Sequence, residues 1–405
     1  MMSSYSQQIQ FPITMDDELR AKVESLKDGI CARAVEGDLE SAHPQEDMDA
    51  IRDAGLFGLE APAEFGGMGV NSAVANDAIR QIAVWNSSTA HILFVHSVGL
   101  KSIPFLGNEE QTKRYMTEAV QNGKRFGVAA SEHGQHVMDW SCKMTPTEGG
   151  YLLNGNKLFC SGSGGSDYIM VFAVLEGAPS LIEGVMIMMV PSNQEGVQQN
   201  LDWDNMGQRQ TSSQSISFKD VFIPEADILG EAGTIMQLEP SMWALYYQSA
   251  FCALHAGMAE GALNEAIDYA RNKTRPWILS GIDKAVNDPY IQGALGQMQT
   301  QVSAMRTLIN RANEAVILVE RGMLDRGEAA IRIAEAKVFS TDVALDVTSK
   351  IFQVCGARAT SKKYSIDRYW RNARTMTLHD PVDWKRNEIG HYLLTDEPPM
   401  PTFYS

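Results

Sequence analysis

Tyr168-Ile-Met-Val-Phe-Ala-Val174 and Val185-Met-Ile-Met-Met-Val190 are two short apolar runs separated by turn-forming residues. With Tyr151-Leu-Leu-Asn-Gly before them and the alternating Ser215-Ile-Ser-Phe after them, they read as strands. The β texture begins near Arg125 and ends near Gly230. On either side the period changes. Up to about residue 122, apolar positions such as Met48, Ile51 and Leu56 recur at helical spacing, with a Gly-rich break over Pro62 to Gly69. From Ile291 onward, Leu295, Met298, Val302, Met305, Ile309, Ala312, Val316 and Val319 step by alternating three and four, which predicts one long packed helix. The order helix, β, helix defines an α+β chain with segments 1–123, 124–232 and 233–405. No low-complexity linker or internal repeat separates them, so they should pack together and form a pocket at their junctions.

The 405 residues, 44% of them apolar and 21% charged, suit two or three ordinary globular domains and exclude disorder and coiled-coil rods. A net charge of −16 opposes a nucleic-acid or membrane-surface role and favours a small ligand. The longest apolar runs fall short of the roughly 18 residues a spanning helix needs. Met1 to Pro12 lacks the pattern of a signal peptide, so a cytoplasmic location is expected. The five cysteines, Cys31, Cys142, Cys160, Cys252 and Cys355, form no Cys-x-x-Cys pair and read as reduced, mostly buried thiols.

Gly55-Leu-Phe-Gly-Leu-Glu-Ala-Pro-Ala-Glu-Phe-Gly-Gly-Met-Gly, Tyr151-Leu-Leu-Asn-Gly-Asn-Lys-Leu-Phe-Cys-Ser, and Phe218-Lys-Asp-Val-Phe-Ile-Pro followed by Ile228-Leu-Gly appear in this order. Together they resemble the acyl-CoA dehydrogenase superfamily over nearly the whole chain. The resemblance implies an N-terminal helical domain, a central β-barrel-like domain and a C-terminal four-helix bundle. Further motifs are similar to the reduced-flavin monooxygenases that oxygenate sulfur, the group of dibenzothiophene and methanesulfinate monooxygenases. They are Ser131-Glu132 with His136-Val-Met-Asp-Trp, Phe159-Cys-Ser-Gly, Gly165-Ser-Asp, Thr274-Arg-Pro-Trp, Asp367-Arg-Tyr-Trp-Arg-Asn-Ala-Arg-Thr-Met-Thr-Leu-His-Asp-Pro and the tail ending Phe403-Tyr-Ser.

Three departures from the dehydrogenase pattern carry chemical meaning. Where a dehydrogenase places the carboxylate that takes the thioester α proton, this chain reads His379-Asp380-Pro381. An imidazole suits proton exchange with an oxygenated flavin better than thioester deprotonation. Where FAD-binding relatives have an open glycine turn, Cys355-Gly-Ala-Arg-Ala-Thr puts Arg358 in the space. Arg-x-x-Phe-Gly becomes Lys273-Thr-Arg-Pro-Trp, placing Arg275 where the superfamily reaches a neighbouring subunit's cofactor. Two guanidiniums can clamp a terminal phosphate, which favours FMN over FAD.

The resemblance implies that FMNH2 reacts with O2 as co-substrate to a C4a-hydroperoxide that oxygenates sulfur, while the protein holds the flavin, excludes water and manages a proton. Ser161 corresponds to the hydroxyl beside flavin N5, Phe159 and Trp203 to the ring walls, and Ser131 and Asp380 to further cofactor contacts. His379, with His91 across the pocket, is the expected proton-managing pair. Each has a plainer alternative: Ser161 as a turn serine, His91 as a satisfied core histidine, Arg371 and Arg374 as ion-pair residues. His91 and His96 lie about 140° apart on a helix and cannot share a metal, and His133 and His136 read as a loop pair, so no metal is expected. Val95 and Val128 stand where dibenzothiophene monooxygenase has a tyrosine and an asparagine, so the substrate need not be the same.

The expected protein is a homo-oligomeric, tetrameric monooxygenase of a small organosulfur compound. Lacking a Rossmann-type nicotinamide motif, it implies a separate NAD(P)H:flavin reductase as partner. The alternatives are an FAD-dependent acyl-CoA dehydrogenase, an N-hydroxylase on the same fold, and a catalytically silent flavin-binding scaffold.

Overall fold

The computed structural model describes residues 13–134, 140–237 and 241–405. Six helices come first: α1 (Asp17–Glu24), α2 (Lys27–Glu40), α3 (Gln45–Asp53), α4 (Ser72–Trp85), α5 (Ser87–Leu106) and α6 (Glu109–Val120). Their starts are written in the sequence. Asp16, Asn71, Asn86 and Asn108 each accept a backbone N–H of the first turn, and Gln111 returns the bond at α6. The Gly-Gly-Met-Gly turn between α3 and α4 is tight, since a Cβ on Gly67 would lie 2.1 Å from the Ala61 carbonyl oxygen.

Helix α5 corrects one expectation from the sequence. It is 20 residues long with mean hydropathy 1.2, enough by length and composition to cross a membrane, but 83% of that window is buried inside the protein. It is a core helix that is apolar on every side, and it carries His91, His96 and Lys101.

The β section contains β1 (Phe126–Ala129), β2 (Lys143–Thr147), β3 (Gly150–Lys157), β4 (Tyr168–Leu175), a short α7 (Leu181–Gly184), β5 (Val185–Pro191), β6 (Val197–Gln199), β7 (Ile216–Pro224) and β8 (Ile228–Leu229). They form one mixed sheet in the order β6-β7-β3-β2-β4-β5-β8, with β1 pairing in parallel to β4. The apolar runs Tyr168 to Val174 and Val185 to Val190 are β4 and β5, paired antiparallel with Met170 opposite Met189 and Phe172 opposite Ile187. They are apolar throughout because both faces are covered. Met170, Phe172, Val185, Ile187 and Met189 join the helical core, whereas Ile169, Val171, Ala173, Met186, Met188 and Val190 line a second core within the β domain. Successive side chains thus serve different cores.

The second core is closed by a buried ion pair. Lys157, fully buried at the end of β3, donates to Glu132 Oε1 at 2.6 Å and to the Ala130 carbonyl at 2.9 Å, and its ammonium lies 4.0 Å from the Trp140 ring centre. Burial holds its basicity below the usual lysine range despite Glu132. Lys157→Met should remove the cation of the Glu132 carboxylate, leaving it only the hydrogen bonds from Ser141 and Cys142, and cost about 3–5 kcal/mol in denaturant titrations. A loss below about 1 kcal/mol would show the pair to be solvated.

After the sheet come α8 (Met242–Asn272), α9 (Pro289–Glu320), α10 (Arg326–Cys355), α11 (Asp367–Met376) and α12 (Val382–Thr395). The helix predicted from Ile291 is α9, opened by Pro289 behind the Asp288 cap, and Met298, Val302, Met305, Ile309, Ala312 and Val316 are its buried stripe. The C-terminal helical domain is built on α8, α9 and α10, of 31, 32 and 30 residues, with α12 packed on α10 and α11 on α8 and α10. All five cysteines are free, and only Cys31 is exposed.

Candidate active site

After β3 the chain turns sharply at Phe159, whose φ of +51° throws its ring outward, and enters Ser161-Gly-Ser-Gly-Gly-Ser. Two neighbours fix this turn. The segment 208–214 lies alongside, with Cys160 N–H donating to the Gln214 carbonyl and Gly162 N–H to that of Thr211. Arg125, fully buried, donates to the carbonyls of Gly162 at 2.7 Å and Gly164 at 2.5 Å. Burial lowers its pKa to about 10, which leaves it charged at neutral pH. On the other side β1 passes so close that a Cβ on Gly127 would meet Ser163 backbone atoms at 3.0 Å.

Within the turn, Ser161 Oγ accepts a hydrogen bond from Ser213 Oγ at 3.0 Å, which leaves the Ser161 proton available to a ligand. Phe159, 60% exposed, meets Trp203 edge-on with ring centres 6.0 Å apart, and Trp203 is held by its N–H to the Gln208 carbonyl at 2.9 Å. The turn also abuts α5: a Cβ on Gly162 would lie 3.5 Å from the Ile92 side chain, next to His91.

His91 opens into an aromatic cluster. Its ring stacks on Phe94 at 5.6 Å and meets the edge of Phe251 at 6.4 Å; Tyr247 joins both phenylalanines. Its Nδ1 is buried without a hydrogen-bond partner, and burial beside His379 pushes its pKa down to about 3. His96, the other histidine of the run, is the satisfied one: it accepts Phe126 N–H and bonds the Phe57 carbonyl, both at 3.0 Å. His379 approaches the cluster from the end of α11, its ring 4.4 Å from Phe251 and 6.1 Å from Tyr404 of the tail. The tail is further held by Phe403 stacked on Trp140 at 5.7 Å.

Asp380 is buried next to His379. It is 4% exposed, and its Oδ1 lies 3.2 Å from His379 Nδ1 and 2.9 Å from the ammonium of Lys337, itself buried on α10. Burial alone would raise its pKa, but Lys337 and the His379 hydrogen bond override this and hold the carboxyl far below the usual range.

Arg275 and Arg358 occupy another place. Arg275 is exposed in the loop after α8, and Arg358, on the single turn after α10, donates to the Lys273 carbonyl of that same loop. Gly356, at φ +76°, ends α10 just before it. No hydrogen bond, ion pair or ring contact among the described residues joins either arginine to Ser161, Phe159 or Trp203. Ser131 is exposed, and its carbonyl accepts Leu158 N–H. Arg371 is engaged by Asp38 and Asp367. Val95 and Val128 are buried at the α5–β1 junction. His136 lies outside the described residues, which contain no cluster of three metal-ligating side chains. Sequence reasoning passed over Arg125, Ser213, Phe251 and Lys337.

Comparison with known proteins agrees with this layout. Residues 16–122, 126–221 and 249–384 match the acyl-CoA dehydrogenase N-terminal, middle and C-terminal domains in turn. The chain belongs to the acyl-CoA dehydrogenase family. Within it, this chain is 34% identical to dibenzothiophene monooxygenase of Rhodococcus erythropolis over 96% of each chain. It is 33% identical to the probable FMNH2-dependent monooxygenase SfnC of Pseudomonas putida, over 92% of this chain and 93% of that one. The structure of FMN-bound TdsC from Paenibacillus sp. A11-2 superposes with a TM-score of 0.90 at 34% identity, covering 95% of this chain and 99% of that one. This acyl-CoA dehydrogenase family member is therefore a flavoprotein monooxygenase by kinship. Its residues suit a flavin: an exposed aromatic ring, a second one at its edge, and a serine hydroxyl with its proton unused offer a stacking wall and a donor.

Proposed function

We propose that the protein is the oxygenase of a two-component system, receiving FMNH2 from a separate NAD(P)H:flavin reductase in the cytoplasm and oxygenating a small organosulfur compound such as a sulfide, sulfoxide or sulfinate. The single observation that carries the reading over a dehydrogenase is the state of Asp380. It is the one carboxylate beside His379 in the sequence, yet it is buried, paired with Lys337 and held strongly acidic. Such a group is a poor base for a thioester, and the imidazole beside it is the group left to exchange protons at the pocket.

When bound, reduced flavin supplies the activation of O2. Ser161 Oγ would donate to the ring edge, held in direction by Ser213. Phe159 and Trp203 would cover the ring plane and exclude water. His91, kept neutral by burial, and His379, kept in orientation by Asp380, would divide the proton handling, with His379 Nε2 as the exchanging atom. Arg275 and Arg358 would grip the FMN phosphate, from a second copy of the chain in a homotetramer, with the three segments meeting near residues 123 and 232. The Phe94, Tyr247 and Phe251 cluster, with Val95 and Val128, would give the substrate an apolar surrounding that fits an uncharged carbon skeleton around the sulfur.

The test supplies the purified chain with FMNH2 from a generic reductase and a panel of sulfides, sulfones and sulfinates, with product identified by mass spectrometry. Bleaching of bound FAD by an acyl-CoA would overturn the reading. Arg358→Ala should weaken FMN binding by about 10- to 100-fold, the worth of one charge-assisted bond, while leaving the fraction of turnovers yielding product unchanged. Equilibrium titration followed by flavin fluorescence measures the first. An unchanged Kd would remove Arg358 from the phosphate site.

A further inference from the structure

Lys337 lies on α10, inside the bundle, far from any sequence motif that suggests chemistry. It is 1% exposed, and three groups meet its ammonium: Asp380 Oδ1 at 2.9 Å, Gln248 Oε1 at 3.1 Å and the face of Phe251, 4.4 Å from the ring centre. The first and third both touch His379, through its Nδ1 at 3.2 Å and its ring at 4.4 Å. A buried ammonium has to be compensated. Here its compensation is the pair of groups that frame one imidazole.

We propose that Lys337 is a positioning residue of the oxygenation site, anchoring the Asp380 carboxylate so that it accepts the Nδ1–H of His379 and leaves Nε2 as the ring atom open to proton exchange. The inference rests on the reading of His379 as the proton-managing group. An ionised carboxylate only accepts, so the ring nitrogen facing it must carry the proton, and in a neutral ring the lone pair then sits on Nε2. Without the ammonium, burial would favour a protonated Asp380, whose O–H could donate to Nδ1 and place the ring proton on Nε2. The other groups around His379 cannot substitute for Lys337. His91 on α5 and His255 on α8 are both buried and held at about 3. Tyr247 on α8 and Tyr404 of the tail are phenols raised by burial. Lys337 is the cation that touches the carboxylate among the described residues.

The test compares Lys337→Met, Lys337→Arg, Asp380→Asn, the double variant Lys337→Met/Asp380→Asn and His379→Ala. One readout is product formed per reduced FMN consumed across pH, with dibenzothiophene and methanesulfinate as probes. The other is the ring-nitrogen shifts of ¹⁵N-histidine-labelled protein without flavin, which report the tautomer directly. Lys337→Met should lower coupling about 10- to 100-fold, as loss of a histidine's orienting partner does, and should move the His379 ring proton toward Nε2, with Lys337→Arg recovering both. The double variant should match Asp380→Asn within about twofold, because Lys337 acts through that carboxylate. This comparison remains available if the stranded carboxylate of Lys337→Met prevents folding. A tenfold difference between those two, or an unmoved tautomer in a folded Lys337→Met, overturns the proposal. If His379→Ala stays coupled, the catalytic reading of His379 falls instead, and the nitrogen shifts still decide whether Lys337 sets the tautomer.

Discussion

His379→Ala is expected to bind oxidised FMN within about threefold of the parent and to lose coupled oxygenation by about 10² to 10⁴, the range that a positioned acid–base group supplies. Reducing equivalents should emerge as free hydrogen peroxide instead of product. The His379 side chain is 38% exposed, while the neighbouring Asp380 is at 4% and committed to Lys337. The proposed flavin wall of Phe159, Trp203 and Ser161 lies in the middle domain, and no hydrogen bond or ring contact among the described residues joins it to the imidazole. Truncation should therefore spare binding. Peroxide and product are measured side by side as reduced FMN is supplied, and retained coupling would transfer the proton handling to His91.

Acid should unfold the protein with unusual steepness. Burial holds His43 at about 4, His91 at about 3, His96 at about 4 and His255 at about 3. In the unfolded chain each returns to about 6.5. A histidine whose folded pKa is lowered resists protonation that the unfolded form accepts. Its contribution is complete above about pH 6.5 and is lost as pH falls toward the folded values. Four such groups give a slope approaching about 5 kcal/mol per pH unit near pH 5. Asp380 acts in a lower window, because its depressed carboxyl stabilises the fold above the ordinary carboxylate range and gives this up only in stronger acid. Denaturant midpoints between pH 8 and pH 5 measure the slope. His255→Met, which also removes the orphaned Nε2, should reduce proton uptake on unfolding by about one. A midpoint indifferent to pH would show that these rings are hydrated.

What could be read from the sequence was what is local in it. The runs of β4 and β5 and the stripe of α9 announce themselves within a dozen residues, because each pattern reflects which faces are covered. The turn at Phe159 to Ser166 and the pair His379-Asp380 could likewise be found as contiguous motifs. Lys337 could not. In Glu335-Ala-Lys337 it looks like a solvated helix charge, and only folding brings Asp380, 43 residues away, against it. Arg125 reads as an ordinary charge at a domain edge, yet it clamps carbonyls 37 and 39 residues downstream. Asp380, expected as a cofactor contact, is held by the same partner that the sequence concealed. Helix α5 misled in the opposite sense: its histidines and lysine interrupt every apolar run, so counting runs hid how apolar the whole helix is.

The shared wall of β4 and β5 has an effect on how the sheet finds its alignment. In a half-wet sheet, sliding one strand by a residue drags greasy side chains into water, and that penalty alone sets the pairing. Here the buried positions between the strand ends already face a dry compartment on either side, so water cannot referee. Size and shape have to do so, with methionines that adapt to either side and the flanking turns pinning the ends. Swapping Met188 for a rigid ring should therefore disturb alignment more than replacing it with another supple chain of equal bulk.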